Sequence, residues 1–102
     1  MFIGTGQTIY EQIISIDVDN NPVTGATFDT AMYRNGFLYT GITIGITLSD
    51  ADRGVFIADW SASTVGDYQM YVKNNDTSVI FISDNVIVKS DEELSTNVYI
   101  GL

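Results

Sequence analysis

Two stretches twelve residues apart constrain the fold of this chain most: Gly54-Val55-Phe56-Ile57-Ala58-Asp59-Trp60 and Gly66-Asp67-Tyr68-Gln69-Met70-Tyr71-Val72. In each, a glycine two places upstream leads into a run whose core-facing residues recur at every second position. Phe56, Ala58 and Trp60 share one face of the first run, and Tyr68, Met70 and Val72 share one face of the second. A period of two is that of a half-buried β-strand, because successive side chains point to opposite sides of the pleat. The chain is therefore expected to bury one face of each strand against a second sheet.

Turn chemistry divides the rest. Residues 8–18 read as a first strand, with Ile14, Ile16 and Val18 alternating onto one face. Asp19-Asn20-Asn21-Pro22 and Gly25 interrupt it, each with a turn mechanism of its own. Residues 26–34 form the next strand, with Phe28 and Met32 inward. Asn35-Gly36 predicts a tight hairpin, since a type I′ turn needs positive φ at both central residues. The returning strand, residues 37–48, carries Gly41 and Gly45 and is expected to break near Gly41 and change sheets there. Asn74-Asn75-Asp76-Thr77 makes a further hairpin. Residues 78–89 read as a nearly continuous apolar strand kinked at Asp84-Asn85. Seven or eight short strands with regular turns and no helical period predict an antiparallel β-sandwich, with a small barrel as the alternative.

Three segments follow: an arm over residues 1–7, the sandwich over 8–89, and a tail over 90–102. In the tail, Ser90-Asp91-Glu92-Glu93 has the spacing of a capping box and predicts one short helical turn. Val98-Tyr99-Ile100-Gly101-Leu102 then forms an apolar tip, which either packs on its own domain or adds as a strand to a neighbour. Phe2 and Ile3, set among glycines, pose the same choice.

Composition narrows the chemistry. The chain of 102 residues has no cysteine and no histidine, and thirteen acidic residues face four basic ones for a net charge of -9. No thiol nucleophile, disulfide or imidazole base is available. Four scattered cations (Arg34, Arg53, Lys73 and Lys89) do not make a phosphate-binding stripe, and an anionic membrane would repel the surface, so neither nucleic acid nor membrane is expected as a partner. The first residues do not read as a signal peptide, and no apolar run has the length of a membrane span.

Asp17-Val18-Asp19-Asn20-Asn21 begins like a calcium loop, but Pro22 and Phe28 stand where an EF-hand needs its glycine and its bidentate glutamate, so an Asx-rich turn is the expectation. Asp50 and Asp52, with Asp29 or Asp76, offer the other oxygen-ligand combination across loops. No nucleophile elbow, P-loop or dinucleotide fingerprint occurs. Neither catalysis nor a cofactor is expected.

Trp60 is assigned to the core. Tyr10, Tyr33, Tyr39 and Tyr71 are freer, and Tyr33 and Tyr71 lie on the faces opposite Met32 and Met70. Val55 and Ile57 alternate away from the core-facing set. As a group, such residues suggest a protein interface. The candidate partner-binding residues are thus Phe2, Ile3, Val55, Ile57, Tyr71, Val98, Tyr99, Ile100 and Leu102.

Gly66-x-Tyr68-x-Met70 resembles the tyrosine corner of immunoglobulin-like sandwiches, in which a tyrosine at the start of one strand bonds back across the corner. Met70 replaces the cysteine of antibody-type domains, and Trp60 precedes this strand, so the antibody subclass does not fit. Pro22-Val23-Thr24-Gly25-Ala26, Asn35-Gly36, the Gly54–Trp60 run and Gly66-Asp67-Tyr68 together resemble the Ig-like or fibronectin-like accessory domains of tailed-phage virion proteins, over about residues 8–89. That resemblance implies no catalytic residues. It implies a virion structural protein made in the host cytoplasm, most readily a capsid decoration or head accessory protein, bound to other virion proteins and to itself as a homo-oligomer. A tail or collar adaptor, or a carbohydrate- or receptor-binding module using exposed tyrosines, is the alternative.

Overall fold

The computed structural model describes residues 1–90, which are all-β with no helix. Nine strands form: β1 (Phe2–Gly4), β2 (Thr8–Ile14), β3 (Phe28–Arg34), β4 (Phe37–Leu38), β5 (Gly45–Asp50), β6 (Val55–Ser61), β7 (Gly66–Asn74), β8 (Ile80–Ile82) and β9 (Val86–Lys89). The count exceeds the expected seven or eight because β1, β4 and β8 are pieces of two or three residues. The predicted helical turn at Ser90 and the apolar tip lie largely or wholly outside the described residues.

The strands divide between two sheets. The larger has the order β1-β9-β7-β3-β4, with β8 beside β9 on the same edge of β7, and the smaller has the order β2-β6-β5. All pairings are antiparallel except that of β1 with β9, which runs parallel. The arrangement is sandwich-like. Ile9, Ile13, Phe56, Ala58 and Trp60 from the small sheet meet Met32, Tyr68, Met70, Val72, Val86 and Val88 from the large one in a single cluster. The two glycine-led runs supply its centre, as their alternation predicts.

Asn35 and Gly36 both take positive φ (52° and 85°) and join β3 to β4, with Arg34 opposite Phe37. The strand after this hairpin does break: β4 belongs to the large sheet and β5 to the small one, and residues 39–44 cross between them. The kink near Asp84 is also present, and Ser83 holds it. Its backbone N–H donates to the Met70 carbonyl at 2.9 Å, while its hydroxyl oxygen accepts the Met70 N–H at 2.9 Å. A side chain thus fills the gap in the backbone ladder between β8 and β9, so the Met70 N–H is not left open.

The first long strand departs from expectation. The register with β6 ends at Ile14, opposite Val55, and beyond it Asp17 Oδ1 accepts the N–H groups of Asp19 and Asn21, both at 2.9 Å, in an Asx turn. Ile14, Ile16 and Val18 do not form a core face: Ile14 is exposed and Val18 is 98% exposed. The buried set is the other parity, Ile9, Ile13 and Ser15. The aliphatic residues fit either face, and the inward one is fixed by the register with Phe56 and Trp60, which sequence periodicity does not contain.

A polar knot closes one end of the sandwich. Ser15 is fully buried; its hydroxyl donates to the Val23 carbonyl at 2.7 Å and accepts from Asn74 Nδ2 at 2.8 Å. Asn74, also buried, accepts the N–H groups of Asp76 and Thr77 on its Oδ1, which shapes the β7–β8 loop. Gly54 (φ 66°) lies against Ser15, and a Cβ there would collide with the Ser15 carbonyl oxygen. Glycine is required at this contact by both conformation and space.

Candidate functional site

Alternation along β3 and β7 puts Met32, Met70 and Val72 inside and sends their neighbours out. The register aligns those neighbours in rows across the outer face of the large sheet: Ala31 opposite Tyr71 opposite Ile82, and Leu38 opposite Tyr33 opposite Gln69. Ile80, Ile82, Tyr33 and Leu38 are exposed on this face, and Tyr71 is half-buried among them. The result is an apolar band across a sheet whose opposite face forms the core. Tyr33 and Tyr71 stand on the outer face, where their parity puts them. Sequence reasoning missed Ile80, Ile82 and Leu38. The available signal was the unbroken apolar run of residues 79–82, which leaves apolar side chains on both faces of an edge strand.

The remaining candidates separate. Ile3 is 8% exposed and belongs to the core cluster, because β1 adds to β9 with Ile3 opposite Val88. Residues 2–4 are thus a strand of the sheet rather than part of a free arm, and Ile3 offers no surface for docking. Phe2, one position away, is 59% exposed, with the Lys89 ammonium 4.6 Å from the centre of its ring. Val55 points away from the central cluster but is only 9% exposed. As a residue of the middle strand it is flanked by Ile14 and Asp50, which cover it, so it too lacks free surface. Ile57 is half-buried between Gln12 and Thr47. Val98, Tyr99, Ile100 and Leu102 lie outside the described residues.

Tyr39 is not free. Its ring packs edge-on against Tyr68 with centroids 5.9 Å apart, and the Arg34 guanidinium lies 5.5 Å from its centre. Tyr10, by contrast, is well exposed. Trp60 is buried, 5.5 Å from the Tyr68 ring, and among the described residues its indole N–H has no hydrogen-bond acceptor. Tyr68 is fully buried and donates its hydroxyl to the Thr64 carbonyl at 2.7 Å. Burial, reinforced by Tyr39, raises the Tyr68 phenol above the usual tyrosine value.

The acidic candidates are engaged in local structure. Asp50 accepts the N–H groups of Asp52 and Arg53 and pairs with Arg53 Nε at 2.8 Å, a hydrogen bond that holds its carboxyl below the usual range. Asp76 Oδ2 accepts the Thr27 N–H at 2.9 Å, and Asp29 accepts from Asn75 Nδ2 at 3.3 Å. Among the described residues, no three His, Cys, Asp or Glu side chains gather where they would hold a metal ion.

A second apolar feature opens at the side of the sandwich. A cleft of about 310 Å³ separates the free edge of β2 from β7 and β8, lined by Gln12, Ile13, Ile14, Val72, Asn74, Val79, Ile80 and Phe81. Among the described strands, β2 pairs only with β6 and β8 only with β7.

No protein-family model, curated protein or solved structure matches this chain. Its surfaces are the guide to its function.

Proposed function

We propose that this chain is a non-enzymatic structural protein of a phage virion, an Ig-like sandwich that decorates or cements the head or serves as another head accessory. Its partners are other virion proteins and further copies of itself. A tail or collar adaptor is the closest variant of the same role.

The observation that carries the reading is the apolar band on the outer face of the large sheet. Each aliphatic or aromatic side chain removed from water stabilises a contact by roughly 1.5–3 kcal/mol, so several adjacent ones suffice for docking by shape. The strongly acidic composition keeps such a surface soluble before assembly.

Two features favour the Ig-like part of the reading. The Tyr68 hydroxyl reaches back four residues to a backbone carbonyl, as a tyrosine-corner residue does. The strand order also suits it. With β2 as B, β3 as C, β4 as C′, β5 as D, β6 as E, β7 as F and β9 as G, the neighbours B-E-D and G-F-C-C′ are those of an immunoglobulin sandwich.

An antibody raised against the purified chain tests the role. It should follow intact particles through a density gradient and disappear from the free-protein fractions after washing. Signal confined to free protein would refute the reading.

A further inference from the structure

We propose that the open flank of the sandwich between β2 and β8 accepts residues 98–102 of a second copy of this chain as an added strand. The flank has what strand addition needs: two edges that no described residue pairs with, and an apolar cleft between them. Ile13, Val72 and Phe81 form its floor, and the exposed residues Ile14, Val79 and Ile80 form its rim.

The occupant is argued from the chain itself. In Val98-Tyr99-Ile100-Gly101-Leu102, the three aliphatic residues recur at every second position and no residue is charged. Laid along the cleft as a strand, this segment turns Val98, Ile100 and Leu102 toward the floor and Tyr99 and Gly101 outward. It brings no charged side chain into the cleft, which the acidic stretch Asp91-Glu92-Glu93 would do.

Reach decides for a second copy. Along β7, Gly66 stands opposite Val88 and Lys73 opposite Ile80, so the end of β9 lies seven residues, or roughly 23 Å at about 3.3 Å each, from the level of the cleft. Val98 is eight residue steps from Ser90, which span at most about 26–29 Å when fully extended. β9 runs away from the cleft, so a tail returning to its own flank must first reverse, which takes at least about two residues. It must also pass β1, which occupies the outer edge of β9. The remaining length is too short, whereas a neighbouring copy has no such constraint. The contact is heterologous, so successive copies close into a ring or continue as a filament. This self-association does not depend on the virion reading, because it is a property of the purified chain.

The test is sedimentation velocity of the full chain over a concentration series, with Ile100→Asp altering the tail and Val79→Asp the cleft. Val79 is exposed, so its substitution leaves the core intact, and Ile14→Asp on the opposite rim serves as a second cleft variant. The wild type should self-associate, and each variant should do so at least roughly tenfold more weakly, since a carboxylate would be buried unpaired. Mixing Ile100→Asp with Val79→Asp should restore a one-to-one heterodimer, joining the intact cleft of one to the intact tail of the other. A monomeric wild type overturns the proposal, as does unchanged association of Ile100→Asp or a mixture that stays monomeric. A monomeric wild type whose melting temperature falls on Ile100→Asp would place the tail in its own flank instead.

Discussion

Gly54→Ala should be among the most destabilising single-methyl additions in this protein, and Gly36→Ala provides the comparison that explains why. Both glycines take positive φ, 66° and 85°, where an L-residue is disfavoured by roughly 1–2 kcal/mol. At Gly36 that is the whole effect, because a Cβ there meets nothing within 4 Å. At Gly54 the new methyl strikes the Ser15 carbonyl oxygen, with the Pro22 Cα also close at 3.3 Å. That carbonyl accepts the Val23 N–H at 2.9 Å, and the Ser15 N–H donates to the Gly54 carbonyl at 2.7 Å. Moving the strand aside weakens both bonds, each contributing about 1 kcal/mol. The sum is about 3–4 kcal/mol for Gly54→Ala against about 1–2 for Gly36→Ala. Urea unfolding followed by the fluorescence of Trp60, the single tryptophan, measures both. For a chain of this size each kcal/mol lowers the melting temperature by roughly 4–8 °C. Equal losses for the two variants, within about 0.5 kcal/mol, would refute the claim that the Ser15 contact closes this end of the sandwich.

Other consequences are as specific. Tyr68→Phe removes the bond to the Thr64 carbonyl and should cost about 1–2 kcal/mol, read by the same unfolding assay. Because folding raises the Tyr68 phenol above its ordinary value of 10.0, its contribution is fully present below that pH and is lost as pH rises through the higher folded value. The stability difference between wild type and Tyr68→Phe should therefore change only in the alkaline range, and a difference appearing near neutral pH would contradict it. Asn74→Ala strips three hydrogen bonds from the buried knot and should destabilise by about 2–3 kcal/mol, with heightened proteolysis in the β7–β8 loop. Leu38→Lys combined with Ile82→Lys should leave the melting temperature within about 4 °C of wild type, since both side chains are exposed, yet abolish binding to particles.

The sandwich was legible because its information is local. Alternation in β6 and β7, the Asn35-Gly36 hairpin and the break near Gly41 each follow from backbone preferences within a few residues. Which face of β2 turns inward was not, because Ile13 and Ile14 are chemically equivalent and only pairing with β6 separates them. Ile3 and Val55 failed as surface candidates for the same kind of reason. Ile3 is covered through a parallel pairing with β9, more than eighty residues along the chain, and Val55 through neighbours on both sides of a middle strand. The outer band of Ile80, Ile82 and Leu38 arises only when three strands come into register.

The most direct measurement of the proposed role is quantitative mass spectrometry of purified particles from the source, counting copies of this chain against the major coat protein. Copies in a fixed, high ratio to the coat protein are the predicted result and mark a head decoration protein, whereas a small ring number would move the chain to the collar or tail. Absence of the chain from washed, intact particles would contradict the account.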